Sequence, residues 1–272
     1  MAKRTIPMTT PQILTALMYT LIAGSSTGIG GLGALFMKRQ NLSFLSGSLG
    51  FSAGVMIYIA LGELLDEADA LVYGEYGNMG GIITAAAFFG GMILIAAIDK
   101  LIPDEEITSK LTANGSSAGT YDTAILRTGL IAALAMAIHN FPEGLATFIS
   151  AAGLPETAPA IVTAIAIHNI PEGMAVAVPV YMASGSRRRA FGYSLLSGLT
   201  EPLGAIFGCI VLYPYLNNTT YAILYAVTAG IMTYIAISEL IPASHKYGPP
   251  KYSVTGTVLG MAVMAAAVIV MG

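Results

Sequence analysis

Two apolar stretches carry the same polar hexapeptide, and they decide how the rest of the chain is interpreted. They are IAALAMAIHNFPEGLATFIS (131–150) and IVTAIAIHNIPEGMAVAVPV (161–180), so HNxPEG occurs at 139–144 and again at 168–173. On a helix of 3.6 residues per turn, His and Glu at positions i and i+4 share one face. Each copy therefore points one imidazole and one carboxylate in the same direction, and the two faces can meet.

The composition around these stretches indicates a membrane protein. Of the 272 residues, 55% are hydrophobic and only 10% are charged, whereas a soluble domain carries roughly 25% charged residues. Because a transmembrane helix needs about 20 consecutive apolar residues, the apolar runs predict an all-α integral membrane fold of eight helices in a single domain, 1–272. The predicted spans lie near 11–36, 43–65, 79–101, 123–150, 157–182, 189–213, 219–241 and 252–271.

The charges divide the predicted loops into two classes. Basic residues occupy alternate loops, at Lys38, Arg39, Lys100, Lys110, Arg187, Arg188, Arg189, Lys246 and Lys251. The opposite loops contain only acidic charges, at Asp66, Glu67, Asp69, Glu75 and Glu156. The positive-inside rule then places the basic loops, including 102–122, in the cytoplasm and both termini outside. With no targeting addition visible, we expect a prokaryotic plasma (inner) membrane.

An internal repeat relates the two ends of the chain. The segment AGVMIYIALGEL (53–64) recurs in the same register as AGIMTYIAISEL (229–240), and a weaker echo links LGALF (32–36) to LGAIF (203–207). Five helices separate the members of each pair, so the partners cross the membrane in opposite directions. This predicts an inverted repeat of helices 1–3 and 6–8 around helices 4–5, an arrangement typical of transporters with a midplane site.

The doubled hexapeptide predicts a metal site. Pro142 and Pro171 lack an N–H and disturb the preceding turn, which frees carbonyl groups as additional ligands. A charge at the bilayer centre costs about 2.5–3.5 kcal/mol on insertion scales, and a divalent cation would offset both Glu143 and Glu172. Imidazole, carboxylate and amide oxygens together suit zinc, iron(II), manganese, cobalt or cadmium.

Other side chains in or near the spans are weaker candidates. Glu201 could complete a second metal position. Met56 could offer a thioether, although ordinary core packing is the simpler interpretation. Glu63 and Glu239, which are equivalent in the repeat, are predicted pathway or gate groups. His245, in a predicted cytoplasmic loop, could receive released metal or simply be a solvated loop residue.

The doubled HNxPEG motif, together with the SGLTEP stretch (197–202), resembles the ZIP family of metal transporters over essentially the whole chain, and most closely its bacterial zinc-uptake branch. The resemblance implies an eight-helix fold with outside termini and a binuclear site bridged by Glu143 and Glu172. It assigns one metal position to His139, Glu143, His168, Glu172 and Met56, and the other to Asn140, Glu143, Asn169, Glu172 and Glu201.

These features favour uptake of divalent transition metals into the cytoplasm by alternating access, with the metal as transported substrate and no cofactor. The net charge of −3 gives no basic field for nucleic acid. The rival hypothesis is an intramembrane zinc-dependent hydrolase, in which the same ligands hold a metal that activates water. Its usual H-E-x-x-H pattern is absent from the sequence. The lipid bilayer and a second copy of the chain, as a homodimer, complete the expected partners.

Overall fold

The computed structural model describes residues 9–33, 41–100, 120–153, 158–212, 215 and 217–271, and every regular element within these ranges is a helix. Helices that run on through a short π turn or break are counted together. The described helices are α1 (Thr10–Gly33), α2 (Leu42–Tyr76), α3 (Asn78–Asp99), α4 (Thr120–Gly153), α5 (Ala158–Ser184), α6 (187–212), α7 (Asn218–Tyr247) and α8 (Pro250–Met271).

Seven of the described helices, all except α5, are long and apolar enough to cross a membrane by length and composition. Their outer faces are apolar as well: Ile93 on α3 and Ile269 on α8 are 69% and 77% exposed. The expectation of a multi-pass, all-α membrane protein is therefore confirmed. The helix α5 is 27 residues long and carries the second hexapeptide, and the count of eight spans stays a prediction.

Helices α2 and α7 are longer than predicted. We expected α2 to end near residue 65 and α7 near residue 241, but they continue to Tyr76 and Tyr247. Asp66, Glu67, Asp69 and Glu75 are therefore helical rather than in a loop, and so is His245. Charge marks where a helix leaves the apolar layer, but α2 ends only at Gly77, whose φ of +53° breaks the helical path.

The predicted cytoplasmic loop 102–122 also changes at its end. Helix α4 already begins at Thr120, so residues 120–122 belong to that helix. Residues 102–119 lie outside the described part of the chain, as do Lys38, Arg39, Lys110 and Glu156.

Both copies of the sequence repeat contain a π turn at the same place. In α2 it spans Ala60–Leu64, and in α7 it spans Ala236–Leu240. Each π turn follows an ordinary α-helical stretch, Leu42–Ile59 in α2 and Asn218–Ile235 in α7. Single π turns inside α-helices frequently occur at functional sites, and here each one contains a candidate pathway glutamate.

Helix α6 consists of two α-helical pieces and a π turn. Arg187–Gly198 ends at Leu199, Thr200–Phe207 follows, and Gly208–Leu212 is the π turn. The interruption lies just before Pro202, whose ring disfavours a continuous helix. Helices α4 and α5, by contrast, continue through Pro142 and Pro171.

Glycine-mediated contacts hold the helices together, as expected where small residues let backbones approach. A Cβ at Gly54 would meet the backbone of Thr257 on α8, and a Cβ at Gly230 would meet the backbone of Phe88 on α3. Gly54 and Gly230 are equivalent in the sequence repeat. The two copies of the repeat therefore use the same glycine to pack against α8 and α3, respectively.

The contacts of α1 and α6 with the motif helices are also paired. Gly30 of α1 packs on Ile170 of α5, and Gly204 of α6 packs on Phe141 of α4. Ile170 and Phe141 occupy the same position in their hexapeptides, so Gly30 and Gly204 are equivalent. Residue i of α1 therefore corresponds to residue i+174 of α6. The LGALF/LGAIF echo pairs residue i with residue i+171, which differs by three residues from the pairing that the contacts give. Short apolar sequences recur easily by chance, whereas close glycine contacts do not.

Candidate metal centre

Helices α4 and α5 bring the two hexapeptides face to face, and the histidine–glutamate contacts cross between them. His139 Nε2 lies 3.2 Å from Glu172 Oε1, and His168 Nε2 contacts Glu143 Oε1. Each histidine thus pairs with the glutamate of the other copy. One ligand atom from each of His139, Glu143 and Glu172 lies within 4.8 Å of the other two, a spacing that suits a shared cation.

All four of these side chains are buried. His139 and Glu172 are 0% exposed, and His168 and Glu143 are 4% and 7% exposed. A backbone carbonyl fixes one ring: His139 Nδ1 lies 3.2 Å from the oxygen of Ala135. Because a carbonyl only accepts, this contact requires a hydrogen on Nδ1, and Nε2 would then be the ring nitrogen that binds a metal ion placed between it and the glutamates.

The asparagines and Glu201 form a second group beside the first. Asn169 Nδ2 donates to the oxygen of Ala23, 3.0 Å away, and to Glu201 Oε1. Asn140 Nδ2 donates to the oxygen of Ser197 across 3.3 Å. With both amide groups held this way, the two Oδ1 atoms remain as acceptors. All three side chains, Asn140, Asn169 and Glu201, are 0% exposed.

The two groups leave a set of buried oxygen atoms without hydrogen-bond partners. These atoms are Asn140 Oδ1, Asn169 Oδ1, Glu143 Oε2, Glu172 Oε1 and Oε2, and Glu201 Oε2. Buried polar atoms are normally satisfied, and buried charges are normally paired or bound to metal. Oxygen acceptors gathered around two imidazoles are suited to one or two divalent cations.

The remaining sequence-predicted residues lie elsewhere. Met56 is fully buried in the apolar core. Glu63 lines a cavity of about 370 Å³ that also reaches Glu143 and His168. Glu239 lines a separate cavity of about 10 Å³. His245 is exposed in the last turn of α7.

Sequence analysis missed three polar residues of the larger cavity, namely Thr147, Tyr225 and Thr228. Thr228 of α7 lines it together with Glu63, Glu143 and His168. For Thr228, the internal repeat offered a signal. Residue 228 precedes the Ala-Gly pair that α2 and α7 share, and the equivalent residue in α2 is Ser52, which also carries a hydroxyl group. Sequence identity alone does not reveal this pair, because Thr and Ser differ.

Comparisons with known proteins agree with this geometry. The family model described as "ZIP Zinc transporter" matches residues 102–267, a range that contains both hexapeptides and the SGLTEP stretch. The chain is 49% identical to the zinc transporter ZupT of Streptococcus mutans, over 93% of this chain and 96% of that protein. It is 47% identical to the zinc transporter ZupT of Chlorobium limicola, over 94% and 97% of the two chains, and 45% identical to that of Clostridium perfringens, over 93% and 94%.

Proposed function

This chain belongs to the ZIP family of zinc transporters, and from that premise we propose that it carries zinc into the cell through the buried site between α4, α5 and α6. It is a transporter of divalent metal ions and not an enzyme. The single observation that carries the site assignment is the crossed pairing of His139 with Glu172 and of His168 with Glu143. The hydrolase hypothesis is not favoured, because the relatives are transporters.

The charge of the site is compatible with one or two divalent ions. Glu143, Glu172 and Glu201 together carry −3 when ionised, with neutral imidazoles beside them. One divalent ion leaves −1 and two leave +1, so either occupancy brings the buried charge close to neutral. We assign the first position to His139, Glu143, His168 and Glu172 with Met56 as a thioether ligand. The second position uses Asn140, Asn169 and Glu201 with the two bridging glutamates.

The mixed donor set defines a class of metals rather than one ion. Nitrogen and oxygen donors with one thioether suit zinc first, and iron(II), manganese, cobalt and cadmium as further substrates. Magnesium is a poor candidate, because it keeps its waters and prefers oxygen ligands alone. The metal is the cargo, and the protein needs no resident cofactor for this task.

We infer eight spans, with α5 as the fifth, arranged as an inverted repeat of helices 1–3 and 6–8 around helices 4–5. The equivalent π turns of α2 and α7 support this architecture. So do the paired contacts of Gly54 and Gly230, and those of Gly30 and Gly204. Transporters built from inverted repeats hold their substrate where the two halves meet, which here is the motif pair.

The unequal volumes of two cavities support alternating access. Glu63 lines the cavity of about 370 Å³ that reaches the site, whereas its repeat equivalent Glu239 lines one of only about 10 Å³. In an inverted repeat, the two routes exchange roles when the protein changes state. We infer that the metal enters by the route of Glu63 and leaves by the route of Glu239, with His245 in the last turn of α7 receiving it.

We infer the orientation in the membrane from the charges near the two ends of α2, and two contacts show which end of α7 lies beside each of them. At its acidic end, the Tyr76 hydroxyl and Thr219 Oγ1 of α7 lie 3.2 Å apart. At the opposite end, Ser244 Oγ donates to the oxygen of Ser46 across 2.6 Å, close to Lys246. We therefore infer that the acidic end faces outward in a plasma (inner) membrane and that both termini are outside.

The direction of metal transport and its source of energy are consistent with uptake. The larger cavity is lined by Glu63 and Glu67 at the acidic end of α2, where a cation is attracted from outside. An interior-negative potential contributes about 2.3 kcal/mol per elementary charge per 100 mV, and roughly twice that for a divalent ion. Downhill entry needs no nucleotide. A homodimer remains a prediction, which the mass of the purified protein in detergent would check.

The decisive test is zinc-65 and iron-55 uptake into proteoliposomes containing wild type, Glu143→Ala or His168→Ala. The metal content of each purified protein is measured alongside. Glu75→Ala, an exposed carboxylate on α2, is the matched control. Uptake by wild type and the control but not by the site variants is expected. Metal bound by wild type without uptake would overturn transport as the function.

A further inference from the structure

One buried hydroxyl in the larger cavity has no hydrogen-bond partner. Thr228 on α7 is 1% exposed, and its Oγ1 has no partner in the described structure. It lines the same cavity as Glu63, Glu143 and His168. A buried hydroxyl that lacks a partner is unfavourable unless a ligand or water satisfies it.

Thr228 differs in this respect from other hydroxyls in the helices. Most of them donate to a carbonyl of the preceding turn, as Thr147 does to Glu143 across 2.8 Å and Thr257 does to Ser253 across 3.0 Å. That local bond is the ordinary way in which Ser and Thr are accommodated in a helix. Thr228 makes no such bond, so its hydroxyl is available to the contents of the cavity.

The inverted repeat assigns Thr228 an equivalent. Residue 228 corresponds to Ser52 of α2, one position before the shared Ala-Gly pair. Ser52 is 0% exposed, and its Oγ also lacks a partner. Both members of the pair are therefore buried hydroxyls without partners, at the same point of the two copies.

The equivalents of the other cavity residues identify the route to which Ser52 belongs. Ile59 and Glu63 line the larger cavity, and their equivalents Ile235 and Glu239 line the small one. The small cavity is thus the closed counterpart of the large one. Ser52 corresponds to Thr228 on that second route.

Apolar side chains close the second route in this state. Tyr225, Thr147 and Ile165 line the larger cavity, and their respective repeat equivalents are Leu49, Val176 and Met136. These three equivalents are each 0% exposed and lie in the apolar core. The route beside Ser52 is therefore dry while the route beside Thr228 is open.

We propose that Thr228 and Ser52 form hydrogen bonds with the water molecules bound to the transported ion. Thr228 serves the outer route, Ser52 serves the inner route, and each contacts water only while its own route is open. Waters bound to a divalent ion are strong donors, and a hydroxyl oxygen with no other partner accepts from them as the ion loses water on its way to the glutamates. This proposal rests on the alternating access of the proposed function.

The first test removes the hydroxyl and keeps the shape. Thr228→Val is expected to raise the KM for zinc uptake about two- to tenfold, the range for one hydrogen bond, and Thr228→Ser is expected to restore it. The control is Thr233→Val on the same helix, a buried hydroxyl without a partner that is not among the residues lining either cavity. An unchanged KM in Thr228→Val, or an equal rise in Thr233→Val, overturns the proposal.

The second test locates the two hydroxyls on opposite routes. Cys209 is the only cysteine in the chain, so Cys209→Ala gives a background without thiols. Thr228→Cys and Ser52→Cys are introduced into it separately and exposed to a membrane-impermeant thiol reagent in whole cells and in inverted vesicles. Labelling of Thr228→Cys from outside only and of Ser52→Cys from inside only is expected, with zinc slowing both.

The outcomes separate this proposal from the proposed function. The variants could transport zinc while both thiols are labelled from the same side, or while Ser52→Cys is never labelled. Either result would show that the assignment of Thr228 and Ser52 to opposite routes is wrong, and the transport function would stand. If wild type itself fails to transport zinc into proteoliposomes, the proposed function fails and this inference fails with it.

Discussion

His139 Nε2 lies 3.2 Å from Glu172 Oε1, so the histidine of the first hexapeptide pairs with the glutamate of the second. Both residues are 0% exposed. A metal ion between the two helices would therefore be held by donors from both at once. The site can be complete only when α4 and α5 keep their mutual register.

Glu172→Gln tests this crossed pairing with little change in shape. The substitution removes one negative charge within ligand distance of a divalent ion. At the effective dielectric constant of a protein interior, such a charge contributes more than the energy of a tenfold change in affinity. We expect zinc affinity, measured by equilibrium dialysis of the purified protein, to fall by at least about tenfold.

Glu75→Gln is the control for Glu172→Gln, because Glu75 is exposed near the end of α2. Its zinc affinity should equal that of wild type. If Glu172→Gln bound zinc as tightly as wild type, the carboxylate would not be a metal ligand and the crossed pair would be only structural.

Asn169→Asp tests the second metal position. The Nδ2 of Asn169 donates to Ala23 and Glu201, and an aspartate would place a carboxylate against both of these acceptors. We expect the metal-free protein to lose about 1–3 kcal/mol of stability, the cost of buried groups left without partners. Zinc should offset this loss, and the added carboxylate should bind the second ion more tightly than wild type does, which thermal unfolding and equilibrium dialysis would measure.

Asn140→Asp provides the comparison for Asn169→Asp, since Asn140 donates to the oxygen of Ser197 and has no described contact with Glu201. A smaller loss in the metal-free protein is expected there. Equal affinity for the second zinc ion in wild type and Asn169→Asp would contradict a second position at Glu201.

Much of the site could be predicted from the sequence, because its ligands lie within single helical turns. The spacing of His139 and Glu143 fixes a shared face on any α-helix. The pairing of His139 with Glu172 could not be predicted from spacing, since it depends on how α4 and α5 are rotated and shifted against each other. The supporting carbonyls of Ala23 and Ser197 were also missed, because any residue type can supply a backbone carbonyl.

The fold was predicted with a similar division between local and long-range features. Apolar length located the helices but not their ends: the carboxylates from Asp66 to Glu75 resemble a loop by composition, yet they continue α2 until Gly77. The offset between α1 and α6 that the glycine contacts give differs by three residues from that of the LGALF/LGAIF echo. It is set by the mutual contact of Gly24 with Gly198, which apolar sequence similarity does not record.

Gly54→Ala tests the glycine contacts of the repeat. Its added Cβ would meet the backbone of Thr257, which cannot move as a flexible side chain can. Overpacking of this kind typically costs about 1–3 kcal/mol, so the thermal midpoint in detergent should fall, and Gly230→Ala should lower it similarly. Gly74→Ala, where nothing lies within 4 Å of the added Cβ, should be neutral or slightly stabilising; an equal loss in all three variants would contradict a specific close contact.

Glu63 and Glu67 lie one helical turn apart on α2 and line the larger cavity, which predicts that they draw cations toward the site. A charged cleft raises the local concentration and the association rate of an oppositely charged substrate. The combined substitution Glu63→Gln and Glu67→Gln should therefore slow zinc uptake several-fold at low zinc concentration. The difference should shrink as ionic strength rises, because salt screens exposed charges beyond about 10 Å at 0.1 M. Glu75→Gln, on the same helix and not among the residues lining the cavity, is the control, and a loss of uptake that did not depend on salt would show that the pair acts by direct coordination rather than by attraction.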